Sequence, residues 1–344
     1  MTTAPSSAIA FLFPGQGSQK VGMGKALYDA SPLARAVFEE ADAALGFSLS
    51  KLCFEGPEAD LTLTANAQPA ILTTSIAALR VVQAETGWQP SVVAGHSLGE
   101  YSALVAAGAL SLSDAVRVVN ARGRFMQEAV APGVGAMAAI LGLEAADVEA
   151  ACAEACAEVA GEIVSPANLN GGRQIVIAGH KRAVDRACVA AKARGATRAL
   201  PLSVSAPFHC QLMQPAADRL SAELAKIQFR DPSVPVIANV DAAPNTDGAR
   251  VRALLVQQVT APVRWEQSIQ RLESMQVSRA VEIGQGTVLA GLVKRITRAV
   301  VVQPAGDPAS IAALTSSPTV DGAQSPPAQA SPLQPIPVKE RTNA

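Results

Sequence analysis

The sequence predicts an α/β protein: a parallel sheet covered by helices, with a smaller βαββαβ unit inserted into it. Three observations carry this. Short apolar runs alternate with helical patterns in both outer parts of the chain. Between them, residues 131–204 follow a different rhythm, two helices among four strands. From about Thr315 the chain turns to Ser, Pro, Ala and Gln, with too few large apolar residues to order itself. The expected division is 1–130 and 205–314 for the two parts of a large domain, 131–204 for a small one, and 315–344 for a flexible tail.

Ile9–Phe13 reads as a short apolar strand running into Pro14-Gly15-Gln16-Gly17-Ser18-Gln19. That loop fits neither nucleotide-binding template. Lys20 stands where a third glycine is needed, and Gly24-Lys25 is followed by Ala26 rather than Ser or Thr. It reads instead as a source of backbone amides near a strand end. Helical patterns follow at about 31–45, 67–85, 99–107 and 113–130, with a strand ending near Gly95 between the second and third. Pro132-Gly133-Val134-Gly135 then breaks the chain. The next segment gives strand 136–141, helix 144–159, strands 162–167 and 174–178 turned through Asn170-Gly171-Gly172, helix 181–194 and strand 197–204. This is the order of a ferredoxin-like unit. The first pattern resumes with helix 211–226, strand 234–239, helix 248–259, strand 280–283 and a last helix after Gly284-Gln285-Gly286.

Bulk properties remove several classes of function. The net charge of −1 gives no global field toward nucleic acid or an anionic membrane. No apolar stretch approaches the ~20 residues of a membrane span, and Met1–Ala8 lacks the positive flank of a secretory signal. Cys53, Cys152, Cys156, Cys188 and Cys210 are scattered, with too few companions for a zinc site. They read as small buried residues of a reducing cytoplasm, which is the location expected.

The chemistry centres on Gly95-His96-Ser97-Leu98-Gly99, between the apolar run 91–94 and the helical pattern that opens at Glu100. A serine on a tight strand-to-helix turn is pushed out with its hydroxyl exposed, and the amide after it points at the same spot. The alternative is a Gly-rich turn whose serine caps the helix. A serine nucleophile needs a base, and the chain has three histidines, His96, His180 and His209. His96 points away from the serine on the elbow, and His180 lies in the small domain. His209 follows the return to the large domain, near the strand ends, and elimination makes it the favoured base. No acidic third member stands out. On the helix 114–130, Arg124 and Glu128 are spaced as an i,i+4 pair, whereas Arg122 projects from the apolar side. A guanidinium keeps its proton, so an inward one should meet an anion: a structural carboxylate, or an acyl substrate's terminal carboxylate. A lipase or esterase pocket has no use for such a charge.

Phe13-Pro14-Gly15-Gln16-Gly17-Ser18-Gln19, Gln68-Pro69-Ala70, Gly95-His96-Ser97-Leu98-Gly99-Glu100-Tyr101 and Arg122-Gly123-Arg124-Phe125-Met126-Gln127 occur in that order. Gly135-Ala136-Met137, Pro207-Phe208-His209 and the run Gln258 to Trp265 follow. Over about residues 8–314 this set resembles the malonyl-CoA:acyl carrier protein transacylases of bacterial fatty-acid synthesis. The resemblance implies a hydrolase-like large domain with a ferredoxin-like insertion. It implies Ser97 as nucleophile, His209 as base, Arg122 as carboxylate clamp, and the amides of Gln16 and Leu98 as oxyanion hole. It also implies that the Gln258 carbonyl orients the histidine, that Gln68 belongs to the polar lining, and that Phe208 selects malonyl over methylmalonyl groups. Gln285 departs from the family, where a proline is usual. No metal or redox cofactor is implied. The implied partners are malonyl-CoA and an acidic holo-acyl carrier protein, with the enzyme expected to be a monomer. A freestanding acyltransferase serving a polyketide or polyunsaturated-acid synthase shares every one of these residues, and the Pro/Ala-rich tail is compatible with it. A catalytically silent carrier-binding module is disfavoured by the intact Ser97, His209 and Arg122.

Charge distribution adds one expectation. On the helix at 181–194, Lys181, Arg182, Arg186 and Lys192 share one side, opposite Val184, Ala187, Cys188 and Ala191. Carriers of this pathway are acidic, so the basic side is expected to steer the carrier at the cleft mouth; an ordinary solvated face is the alternative.

Overall fold

In the computed structural model, residues 8–316 are described; most of the expected tail lies outside them. Six strands form the larger sheet: β1 (Ile9–Phe13), β2 (Val92–Gly95), β7 (Val236–Ile237), β8 (Pro244–Asn245), β9 (Arg279–Ile283) and β10 (Val301–Ala305). Their order is β10-β9-β1-β2-β7-β8, parallel throughout except for the β7–β8 pair. Alternate residues of the central strands enter two separate cores. Phe11, Phe13, Val93 and Ile283 pack under the helices Thr64–Thr86 and Leu112–Glu128. Ala10, Leu12, Val92 and Ala94 pack on the opposite face against Trp265, Ile269 and Val293. With both faces covered, the strands read as nearly continuous apolar runs, as parallel sheets do.

The smaller sheet contains β3 (Gly135–Leu141), β4 (Val164–Leu169), β5 (Gln174–His180) and β6 (Arg198–Pro201), in the order β4-β5-β3-β6, with every pair antiparallel. Its two faces have different neighbours. Ala138, Ile140, Val164, Ile175 and Ile177 pack on the helices Ala145–Ala157 and Lys181–Ala193. Met137, Ala139, Ala167, Val176 and Ala178 face the other way, onto Cys210 and Phe208. The helices therefore lie on one side of this sheet and the loop holding His209 on the other. Strand β4 also joins the large unit: Leu169 N donates to Val263 O, and Val263 N to Ala167 O, both at 2.9 Å.

Several elements differ from the sequence-based expectation, for identifiable reasons. The strand expected at 197–204 ends at Pro201; Leu202 N still donates to Met137 O (2.9 Å), and the chain then leaves the sheet without regular structure through Ser205. The strand expected at 234–239 shortens to Val236–Ile237, because the chain turns back through Ala242 N to Ala238 O. The short helices before residue 31 and between 49 and 62, the helix Trp265–Ser274 and the edge strand β10 are additional. Pro69 lies inside the helix Thr64–Thr86, and the carbonyl of Ala65, four residues earlier, accepts from Asn120 Nδ2 instead (2.8 Å). That contact joins this helix to Leu112–Glu128 and sets Gln68 beside Arg122.

Candidate active site

The elbow is built by close approach of backbone. A Cβ on Gly95 would overlap the carbonyl of Gly99, and one on Gly99 would overlap that of Phe13, so β2 and the helix Gly99–Ala106 meet at van der Waals limits. Between them Ser97 adopts φ 51°, a left-handed conformation uncommon outside glycine. Asn239 holds it there: Oδ1 accepts from Ser97 N (2.7 Å), while Nδ2 donates to Gly95 O (2.8 Å).

Ser97 Oγ lies 2.7 Å from His209 Nε2, and His209 Nδ1 lies 2.8 Å from the carbonyl of Gln258. A carbonyl can only accept, so Nδ1 carries the proton and Nε2 is left to accept that of Ser97. No carboxylate is needed for this orientation. Burial, reinforced by the positive charge of Arg122, pushes His209 down to about 3, so the ring is neutral around pH 7. The other two histidines are engaged elsewhere. His96 pairs with Asn170 Oδ1 (2.8 Å) and lies against the Trp265 ring, and His180 Nδ1 accepts from Ile163 N (3.0 Å).

Arg122 is buried and among the described residues forms no direct ion pair. Nη1 donates to Gln68 Oε1 (2.7 Å) and Nη2 to Gln258 Oε1 (2.9 Å), so two amide oxygens hold the guanidinium. Nη2 also donates to Ser97 Oγ at 3.2 Å. The nearby acid is Glu100, whose Oε2 accepts from Gln258 Nε2 (2.7 Å) and from Asn239 N (3.0 Å). Burial raises Glu100 to about 7 against the lowering effect of these donors. Gln258 Nε2 donates to Ser97 O as well (3.0 Å), so this one residue touches the serine, the histidine, the arginine and the acid.

These groups border a cavity of about 380 Å³. Ser97, His209, Arg122, Gln16 and Ser205 line it from the large unit, and Met137 and Leu202–Val204 from the small one. Phe208 lines it beside the histidine. Gln68 does not: it is fully buried behind Arg122 and steadies the guanidinium. Among the described residues the backbone amides of Gln16 and Leu98 donate to no protein acceptor. A polarised carbonyl in this cavity would meet a serine and a neutral imidazole, beside a buried cation. Among the described residues no group of three or more His, Cys, Asp or Glu side chains is arranged to hold a metal ion.

The acyl transferase domain family matches residues 10–314. The chain belongs to that family. Among its acyl transferase relatives, the malonyl CoA-acyl carrier protein transacylase of Escherichia coli K12 is 51% identical over 304 residues, 88% of this chain and 97% of the relative. The corresponding transacylase structure from Coxiella burnetii superposes with a TM-score of 0.87 at 44% identity, covering 91% of this chain and 98% of that one. A malonyl-transacylase solved in complex with its holo type II polyketide synthase acyl-carrier protein gives a TM-score of 0.86 at 47% identity, covering 89% and 98%.

Asn239, Glu100 and Asn170 were not legible as site residues. Two charge expectations are corrected. Glu128 pairs with Arg219 (2.7 Å) rather than Arg124, which lies over the Phe125 ring. The basic helix face is not a free face at the cleft mouth. Arg186 is 17% exposed and held by Glu162 (2.8 Å), Glu158 (3.5 Å) and the carbonyl of Ala155. Lys181 pairs with Asp185 (2.9 Å), and Arg182 lies 3.9 Å from Glu162. The helix Lys181–Ala193, Lys192 included, packs on the face of the small sheet turned away from Met137 and the cavity.

Proposed function

We propose that this acyltransferase moves a malonyl group from malonyl-CoA to the phosphopantetheine thiol of a holo-acyl carrier protein, through a malonyl-Ser97 intermediate. The observation that carries the reading is the meeting of two groups on one oxygen. Ser97 Oγ is within hydrogen-bond reach of both His209 Nε2 and Arg122 Nη2. The first contact suits attack on a thioester, and the second sets a cation where a three-carbon acyl group carries its free carboxylate.

In the first half-reaction His209 Nε2 takes the Ser97 proton as Oγ attacks the thioester carbon. The amides of Gln16 and Leu98 stabilise the oxyanion. Collapse breaks the carbon–sulfur bond, and His209 returns the proton to the departing CoA sulfur. In the second half the pantetheine thiol gives its proton to His209 and attacks malonyl-Ser97, restoring the serine. Arg122 holds the carboxylate throughout, with Gln68 and Gln258 fixing the plane of the guanidinium. Phe208 crowds the acyl α-carbon and so favours malonyl over methylmalonyl. Malonyl-CoA and the carrier are the partners, and no metal or redox group takes part.

The architecture is that of a hydrolase-like domain (1–130 and 205–314) carrying a ferredoxin-like insertion (131–204), supported by the parallel sheet around the elbow and the β4-β5-β3-β6 order. The enzyme acts as a cytoplasmic monomer; no helix among the described residues is long and apolar enough to cross a membrane. The relative bound to a polyketide carrier supports a second reading, in which the acceptor belongs to a polyketide synthase. One experiment separates them. The protein is given malonyl-CoA and, in parallel, holo-carriers of fatty-acid and polyketide type, and malonyl-pantetheine is measured on each by mass. Faster loading of the fatty-acid carrier supports the first reading; loading of neither overturns both.

A further inference from the structure

Arg122 is placed to do more than bind. Its Nη2 divides its donors between Gln258 Oε1 and the nucleophile itself, at 2.9 and 3.2 Å, while Nη1 reaches Gln68 and the guanidinium lies over the Tyr101 ring. Ser97 Oγ sends its proton toward His209, so the contact from Arg122 falls on a lone pair. A hydrogen bond from a buried cation draws electron density from that oxygen and adds to the barrier for attack. Within the protein only the neutral oxygens of Gln258 and Ser97 take this donor. A carboxylate entering beside Ser97 would compete strongly, because a charge-assisted contact to Nη2 is stronger than one to a neutral oxygen.

We infer that Arg122 restrains Ser97 until an anionic acyl group releases it. The substrate's carboxylate then acts twice, as the handle by which the acyl group is held and as the trigger that frees the nucleophile. Acyl groups without a carboxylate enter the cavity but meet a serine whose lone pair is occupied. Selection against them is in part a slow acylation step, beyond weaker binding. The inference rests on Ser97 being the nucleophile, as proposed above, and makes a claim that binding alone does not: the carboxylate need not be attached to the acyl donor.

The test uses a neutral ester, p-nitrophenyl acetate. Its acetyl carbon is attacked by Ser97 Oγ, His209 takes the serine proton, and the ester carbon–oxygen bond breaks to release p-nitrophenolate. The acylation burst of the full chain is followed by absorbance while sodium formate is titrated in at constant ionic strength, with sodium chloride as control. Formate supplies a carboxylate small enough to share the cavity with the acetyl group. The expected result is a saturable rise in burst rate of about tenfold, the size associated with losing one hydrogen bond to a charged group. Chloride should give none. Arg122→Ala should start fast and ignore formate. A wild-type burst that formate leaves unchanged, or slows, overturns the inference, and that arm needs no variant to fold. A burst that persists in Ser97→Ala overturns instead the assignment of the nucleophile, so the two failures are distinct.

Discussion

Ser97 and His209 both occupy the left-handed backbone region, at φ 51° and 59°, and their side chains meet at 2.7 Å. Such backbone costs a non-glycine residue about 1–3 kcal/mol unless its surroundings hold it. Asn239 and Gln258 are the holders: the side-chain oxygen of one takes the serine amide, and the main-chain oxygen of the other takes the imidazole N–H. Both are tied to Glu100.

Asn239→Ala should therefore lower the acylation rate by about tenfold or more while costing about 1–3 kcal/mol of stability, the penalty for a buried polar group left without its partner. Stopped-flow acylation and thermal melting measure the two effects on the same sample. Unaltered acylation in a folded variant would show that the elbow holds Ser97 without help.

The pH dependence of the acylation step should lack the limb near 6.5 that an ordinary histidine base would give. Burial and Arg122 depress His209 to about 3, so the base stays neutral down to mildly acidic conditions. Single-turnover acylation from pH 5 to 8 checks this; a loss of rate centred near 6.5 would contradict it.

Stability gives the opposite sign for Glu100. Its folded value is raised to about 7, above the unfolded one near 4.5, so its contribution is complete below 4.5 and is lost as the pH rises through 7. The depressed His209 contributes above its unfolded value near 6.5 and loses this as the pH falls toward 3. Glu100→Gln removes only the first effect. The melting temperature of that variant relative to wild type should thus climb between pH 5 and 8, equivalent to about 3 kcal/mol at most. A difference that stays flat with pH would mean that Glu100 is ionised throughout.

Arg122→Ala should lose malonyl transfer and gain relative activity toward acetyl-CoA. Removing one partner of a buried charge pair costs about 3–5 kcal/mol, so discrimination between the two donors should fall by about 10² to 10⁴. Equal losses for both, with the fold intact, would assign Arg122 a structural role.

What was legible in the sequence was what is local. The elbow needs only a strand, five residues and a helix, and the inserted unit betrays itself by a change of rhythm. His209 emerged because there were only two other histidines to eliminate. Glu100 was hidden because an acid in the first turn of a helix looks like ordinary compensation of the helix dipole. Asn239 sits where an asparagine is unremarkable, at the end of a strand. Strand β10 was missed because Pro304 and its partly exposed pattern spoil the alternation of an edge strand. The basic helix misled for a related reason: a helical wheel shows one helix, and Glu154, Glu158 and Glu162, which neutralise it, come from the neighbouring helix and the turn after it.

Arg186→Glu should destabilise the small unit by up to about 3 kcal/mol, because it faces Glu162 and Glu158 with a like charge in a half-buried site. Arg182→Glu, at a side chain 78% exposed, should change the melting temperature little. Melting curves of the two single variants decide this; equal and small shifts would restore the free basic face.

The most direct measurement of the account is intact mass after mixing the protein with malonyl-CoA alone, with no carrier present. Wild type should gain a single malonyl group, peptide mapping should find it on Ser97, and Ser97→Ala should gain none. An adduct that survives Ser97→Ala, or a wild-type protein that transfers malonyl to a carrier without ever becoming acylated, would contradict the covalent mechanism.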